Sequence, residues 1–171
     1  MNFLDHIRTI PDFPKPGIQF KDITTLLKHP EAFAQVIDQL EQRYKNSGIT
    51  KVIGVESRGF IFGAPLANKL NVGFVPIRKA GKLPAETYQK SYALEYGEAT
   101  IELHKDALDS NDRVLIIDDL LATGGTLAAS VELVEEAGAT VTAIWVLIEL
   151  GFLNGRNVLP GKTVHSELVL T

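Results

Sequence analysis

The chain contains no cysteine. That excludes disulfides, a thiol nucleophile and cysteine-bound zinc, and it suits a cytoplasmic protein. No apolar run approaches the roughly 18–20 residues that span a bilayer. The first residues, Met-Asn-Phe-Leu-Asp-His-Ile-Arg, lack the charged-then-apolar form of a secretion signal, so no membrane partner is expected. An excess of positive charge is also missing. Seventeen Lys and Arg stand against 21 Asp and Glu, a net charge of −4, which argues against a nucleic-acid partner. The four histidines are scattered without metal-ligand spacing. Neither G-x-G-x-x-G nor G-x-x-x-x-G-K-[ST] occurs, which disfavours dinucleotide enzymes and nucleoside triphosphatases. There is no internal repeat, low-complexity tract or linker.

What is present is ordinary globular material: 171 residues, 45% hydrophobic, enough for one domain over 1–171 with a substantial core. Its most informative stretch runs from Val114 to Thr126. Val114 to Ile117 is a continuous apolar run that reads as a strand buried on both faces. Asp118 and Asp119 come where that strand is expected to end. Ala122, Thr123, Gly124, Gly125 and Thr126 then open a helical pattern lasting to Glu136. Glycines without Cβ let a backbone turn sharply and approach a ligand. N–H groups of a first helical turn, with the helix dipole behind them, suit a phosphate monoester, and the Thr123 and Thr126 hydroxyls add donors. Two carboxylates at a strand end can accept from vicinal ribose hydroxyls and lie near Mg²⁺, which prefers oxygen ligands. The plainer alternative is a capped strand-to-helix turn.

Elsewhere the reading is coarser. Residues 11 to 25 hold three prolines and a glycine, which exclude a regular helix. The segment reads either as a rigid arm with Phe13 and Phe20 packed on the core, or as a lid that presents a ring to a flat ligand. Pro30 to Asn46 is an amphipathic helix whose stripe is Phe33, Val36, Ile37, Leu40 and Tyr44. Lys51 to Val55 is a short buried strand. Glu56-Ser57-Arg58-Gly59-Phe60 follows, with Arg58 either in a surface ion pair or neutralising a diphosphate. Gly73 to Ile77 is a third strand, with Pro76 near an edge or an end. Arg78 to Tyr88 reads as a basic loop, either solvated or able to close over a site. Ser91 to Glu95 and Ala99 to His104 form a hairpin around Gly97. Thr140 to Leu150 is a long apolar strand with Trp145 in the core, and Thr163 to Leu170 closes the sheet at an edge. Strands alternating with helices imply an α/β fold around a mostly parallel sheet.

The Val114 to Thr126 stretch resembles the signature of the type I phosphoribosyltransferase family, and Leu120-Leu121-Ala122-Thr123 is similar to its adenine-specific branch. So are Pro-Gly-Ile-Gln-Phe-Lys-Asp-Ile near the N-terminus and Ser-Tyr-Ala-Leu-Glu-Tyr-Gly at 91–97. The resemblance covers nearly the whole chain. It implies a central mostly parallel sheet flanked by helices, a small hood at about 11–25 and a flexible catalytic loop at about 78–97. It implies transfer of phosphoribosyl from phosphoribosyl pyrophosphate to adenine, giving AMP and pyrophosphate, with Mg²⁺ held mainly through substrate rather than by a direct protein ligand. Asp118, Asp119 and Ala122 to Thr126 would then bind phosphoribosyl pyrophosphate. Glu56, Ser57, Arg58, Arg78, Lys79, Lys82 and Tyr96 would bind pyrophosphate, with a cis peptide in relatives just before the serine. Backbone groups around Gln19 and Lys21 would read adenine, with Phe20 stacked on it; relatives can carry arginine where Lys21 stands. Glu95 would exchange a proton with the base, and Arg58 would share in catalysis. The resemblance also implies a homodimer. Two rivals remain: an enzyme of the same fold with another base, and a phosphoribosyl pyrophosphate-binding regulator of nucleic acid.

Overall fold

The computed structural model describes residues 1–94 and 96–171; Glu95 lies outside the described residues. The chain divides into two compact units, Met1–Arg43 and Tyr44–Thr171. In the first, β1 (Arg8–Pro11) pairs antiparallel with β2 (Gln19–Asp22), Pro11 opposite Gln19. The expected arm is thus the connection of a small hairpin that begins before residue 11. Its peptide Phe13-Pro14 is cis. A short α1 (Thr24–Leu27), absent from the sequence reading, leads to α2 (Pro30–Tyr44). Val36, Ile37, Leu40 and Tyr44 of the expected stripe are buried, and Phe33 is half-buried.

The second unit is built on a seven-stranded sheet in the order β5-β6-β4-β3-β7-β8-β9. Its strands are β3 (Lys51–Val55), β4 (Gly73–Lys79), β5 (Thr87–Ala93), β6 (Glu98–His104), β7 (Arg113–Leu121), β8 (Thr140–Leu150) and β9 (Val164–Leu170). From β4 through β9 all neighbours run parallel; β6 joins β4 and β5 antiparallel. Pro76 is tolerated because β6 pairs with β4 at Arg78 and Lys79, beyond the proline.

Side chains alternate across this sheet. Ile53, Val55, Val114, Ile116, Ile144 and Val146 share one core with Leu127, Val131, Leu133 and Val134 of α4 (Gly125–Glu136). On the other face Trp145 meets Phe62 of α3 (Arg58–Leu70) edge to face at 5.7 Å. Val114 to Ile117 are all fully buried, each burial stabilising by roughly 1.5–3 kcal/mol. No helix among the described residues is long and apolar enough to cross a membrane.

The connections set the position of the site. From β3 the chain passes through α3 to β4 on one side; from β7 it passes through α4 to β8 on the other. The order therefore reverses between β3 and β7, and open α/β sheets leave a crevice at the carboxyl ends of such strands. Strand β7 runs further than expected. It carries Asp118 and Asp119 within it because β8 is long enough to pair as far as Leu121 with Glu149.

Candidate active site

A cleft of about 580 Å³ opens at this reversal. The end of β3 contributes Glu56, Ser57 and Arg58, and the Glu56-Ser57 peptide is cis. The end of β4 contributes Arg78 and Lys79, β7 contributes Asp118 and Asp119, and the turn into α4 contributes Ala122 to Thr126. Tyr92, Ala99 and Thr100 line the side nearest the hairpin. The first turn of α3 sits directly on β7: a Cβ on Gly59 would lie 2.5 Å from the Ile117 carbonyl oxygen. Only glycine permits that approach, and it brings Arg58 over the acids.

Arg58 donates through Nε to Asp119 Oδ2 at 2.5 Å. Its ion pair is therefore inside the cleft, with the Arg58 side chain 45% exposed and the Asp119 side chain 10% exposed. Asp118 Oδ1 accepts from the Asp119 backbone N–H at 2.8 Å. Enclosure of the Asp118 carboxyl, and then the neighbouring Asp119 carboxylate, push it well above the usual carboxylate range. Among the described residues no group of three or more His, Asp or Glu side chains gathers as a metal cage. Hard carboxylate oxygens side by side suit Mg²⁺, but this donor set fits only an ion that draws most of its ligands from a phosphorylated substrate and water.

The turn into α4 is shaped by Gly124, which has φ +92° and stands at the N-cap with no side chain to satisfy the first N–H groups. The residues of that first turn line the cleft, with the positive end of the helix dipole at their N–H groups. Gly155 and Val158 pack beneath the turn: a Cβ on Gly124 would meet Val158 Cγ2 at 2.5 Å and the Gly155 carbonyl oxygen at 2.6 Å. That supporting segment is fixed by Arg156, which donates from Nε and Nη2 to the two oxygens of Glu149, each at 2.8 Å, and from Nη1 to the Val164 carbonyl.

Glu56 gathers the basic groups. It accepts from Lys82 Nζ at 2.5 Å, the Lys79 backbone N–H at 2.8 Å and Arg78 Nη2 at 3.3 Å. Burial alone would raise its pKa; these donors outweigh burial and hold it at about 2. Ionised Glu56 has no proton to donate, so it meets its surroundings through the cations it holds. The sign of the stability effect follows. Its contribution is full above the ordinary value of 4.5 and is lost as pH falls toward 2. Glu56→Gln should therefore melt below the parent at pH 7, and the gap in Tm should close between pH 4.5 and 2. A gap independent of pH would mean that the ion cluster contributes nothing to stability.

Other expected residues lie elsewhere. Within 78–97, Arg78 and Lys79 complete β4 and Thr87–Ala93 form β5, so regular ladders narrow the loop. Glu102, 4% exposed, pins its base by accepting from Gly81 N–H, Gln89 Nε2 and the Thr87 hydroxyl. Tyr96 is exposed at the hairpin tip. Gln19, Phe20 and Lys21 form part of β2 in the N-terminal unit, where Phe13 meets the Phe20 ring edge-on at 5.2 Å and Lys21 Nζ donates to Thr9 Oγ1. Sequence reasoning missed Tyr92, Glu102 and the Glu149–Arg156 pair. A lone acid inside the apolar run 140–150 was the signal for the last.

The family described as phosphoribosyl transferase domain matches residues 22–156. The chain is 61% identical over 160 residues to the adenine phosphoribosyltransferase of Chloroflexus aurantiacus, covering 94% of this chain and 92% of that one. This chain belongs to the adenine phosphoribosyltransferase family. Solved adenine phosphoribosyltransferases share the fold. That of Thermoanaerobacter pseudethanolicus superposes with a TM-score of 0.95 at 51% identity, covering 98% of each chain. That of Saccharomyces cerevisiae, solved with adenine and an imino-altritol bisphosphate, gives 0.92 at 40% identity, covering 97% of this chain and 96% of that one. The cleft between β3 and β7 is thus the candidate site of an adenine phosphoribosyltransferase fold.

Proposed function

We propose that this chain makes AMP and pyrophosphate from adenine and phosphoribosyl pyrophosphate in purine salvage, with the β3/β7 cleft as its reaction site. The observation that carries this reading is the cleft itself: an uncapped helix start, a carboxylate pair and a basic cluster stand within one 580 Å³ space. The Ala122 to Thr126 turn holds the 5′-phosphate by backbone N–H groups and by the Thr123 and Thr126 hydroxyls. Asp118 and Asp119 accept from the ribose hydroxyls. Ser57, Arg58, Arg78, Lys79 and Lys82, with Tyr96 from the hairpin tip, surround the diphosphate, and Glu56 organises the cations among them.

A nitrogen of adenine forms a bond to the anomeric carbon as the bond from that carbon to the diphosphate oxygen breaks. Positive charge grows on the ribose, where the Asp118–Asp119 pair favours it. Negative charge grows on the leaving diphosphate, where Arg58 and the basic cluster stabilise it. Asp118 and Asp119 are the residues that would hold the water shell of a Mg²⁺ ion, which would supply further neutralisation of the diphosphate charge. The phosphate anchor fixes the anomeric carbon, so orientation supplies much of the rate. Gln19, Phe20 and Lys21 belong to base recognition, and Glu95 takes the proton that the attacking base releases. Family resemblance supports these two assignments, the single functional domain and the homodimer; the cysteine-free composition supports the cytoplasm.

The experiment is AMP formation from adenine, phosphoribosyl pyrophosphate and Mg²⁺, beside hypoxanthine, guanine, xanthine and orotate. AMP as the main product, lost on chelation of Mg²⁺, is expected; a preference for another base would discard the adenine assignment. Glu95→Ala should lower kcat by about 10²–10⁴-fold with smaller changes in substrate binding. Unchanged kcat would remove Glu95 from the chemistry.

A further inference from the structure

Tyr92 has no part in the roles assigned above, yet its position is specific. Its hydroxyl lies 2.8 Å from Thr126 Oγ1, joining β5 to the first turn of α4. Its ring lies against Gly125: a Cβ there would be 3.2 Å from Tyr92 Cδ2. Tyr92 and Thr126 both line the cleft. The tyrosine thus touches the phosphate turn by its ring and by its oxygen.

Either oxygen could donate in the free protein. An anion in the turn removes that freedom. A threonine hydroxyl has one proton, and an anionic phosphate oxygen can only accept. Thr126 must then give its proton to the phosphate and accept from Tyr92. A hydroxyl that accepts a hydrogen bond becomes a better donor, so the two bonds strengthen one another.

We infer that Tyr92 is a positioning residue for the 5′-phosphate: its hydroxyl donates to Thr126 and aims the Thr126 proton at the phosphate. This rests on the reading of the turn as the phosphate anchor. Tyr92 acts through Thr126 and needs no contact with substrate. Because the backbone N–H groups of the turn would still fix the phosphate and so the anomeric carbon, the loss should fall on binding more than on the chemical step.

The test combines Tyr92→Phe, which keeps the ring on Gly125, with Thr126→Val and Thr126→Ser. Dissociation constants are measured for ribose 5-phosphate, AMP and adenosine, together with KM and kcat for phosphoribosyl pyrophosphate. Tyr92→Phe should weaken ribose 5-phosphate and AMP by roughly 3–10-fold, the loss expected for one supporting hydrogen bond, and raise KM by a similar factor. Adenosine, which lacks the phosphate, should bind as before, and kcat should change less than KM. In a Thr126→Val background Tyr92→Phe should cost nothing more; in Thr126→Ser its effect should return. Equal losses for adenosine and AMP, or full additivity with Thr126→Val, would overturn the inference and leave Tyr92 as packing. A parent protein that binds adenosine but shows no affinity for ribose 5-phosphate would instead overturn the phosphate-anchor reading, and this inference with it.

Discussion

Gly124→Ala is expected to lower kcat/KM for phosphoribosyl pyrophosphate by about 10²-fold or more while leaving the sheet and helices in place. The backbone at 124 has φ +92°, a region that costs an L-residue roughly 1–2 kcal/mol. The added methyl would also meet the Gly155 carbonyl at 2.6 Å and Val158 Cγ2 at 2.5 Å. Neither can move away freely. Arg156, between them in sequence, is tied to Glu149 and to the Val164 carbonyl. Gly155 is itself pressed on the turn, since a Cβ there would lie 2.5 Å from the Ala122 oxygen. The turn must therefore yield, and the N–H groups proposed to hold the phosphate would lose their aim. Steady-state kinetics with a circular-dichroism melt check this. Normal use of phosphoribosyl pyrophosphate by a folded variant would mean that the 5′-phosphate is anchored elsewhere.

Asp118→Asn should divide stability from activity. The folded protein holds the Asp118 proton to a higher pH than the unfolded chain does, because of its enclosure and the Asp119 carboxylate beside it. Stability therefore falls as pH rises from the ordinary carboxylate range to the raised value, and above that the loss is complete. Asparagine carries no charge and can still accept from the Asp119 N–H. At neutral pH the variant should melt a few degrees higher, the shift that roughly 1 kcal/mol produces in a chain of this length. Its advantage should shrink as pH falls from the raised value toward the ordinary carboxylate range and be gone below it. Activity should move the other way, with kcat/KM reduced by about 10-fold or more as the carboxyl proposed to accept from the ribose hydroxyls is replaced. A Tm unchanged across pH would show that Asp118 pays no electrostatic penalty; undiminished kcat/KM would remove it from ribose binding.

The two predictions differ in how far the sequence foretold them. The glycine pair and flanking threonines at 123–126 were legible because a tight turn and a helix start are local events. So were the buried run Val114 to Ile117 and the stripe of α2, since burial repeats at the period of each element. The end of β7 was not, because its length depends on pairing with β8, many residues away. For the same reason the arm at 11–25 hid a hairpin that starts at Arg8 and closes against Asp22. Side-chain pairs were the least legible. Glu56 reads in sequence as one more residue of a pyrophosphate loop; its cations come from residues 78–82 on another connection. Tyr92 looks like a strand aromatic until Thr126, thirty-four residues on, is set beside its hydroxyl.

The Glu56 cluster bears on which anions the protein ignores. Arg78, Lys82 and the Lys79 N–H all share one carboxylate, which offsets part of their positive charge and stays ionised down to about pH 2. Entry of the diphosphate proposed to bind here would then be in part an exchange of counter-ions. A small anion gains little from such an exchange, since it must displace a tethered competor present at high local concentration. On the proposed reading, a diphosphate whose molecule is also held by a phosphate in the Gly124 turn would be tethered too. Preference for the doubly anchored molecule over free inorganic phosphate would then come from the tether as well as from the contacts at each end.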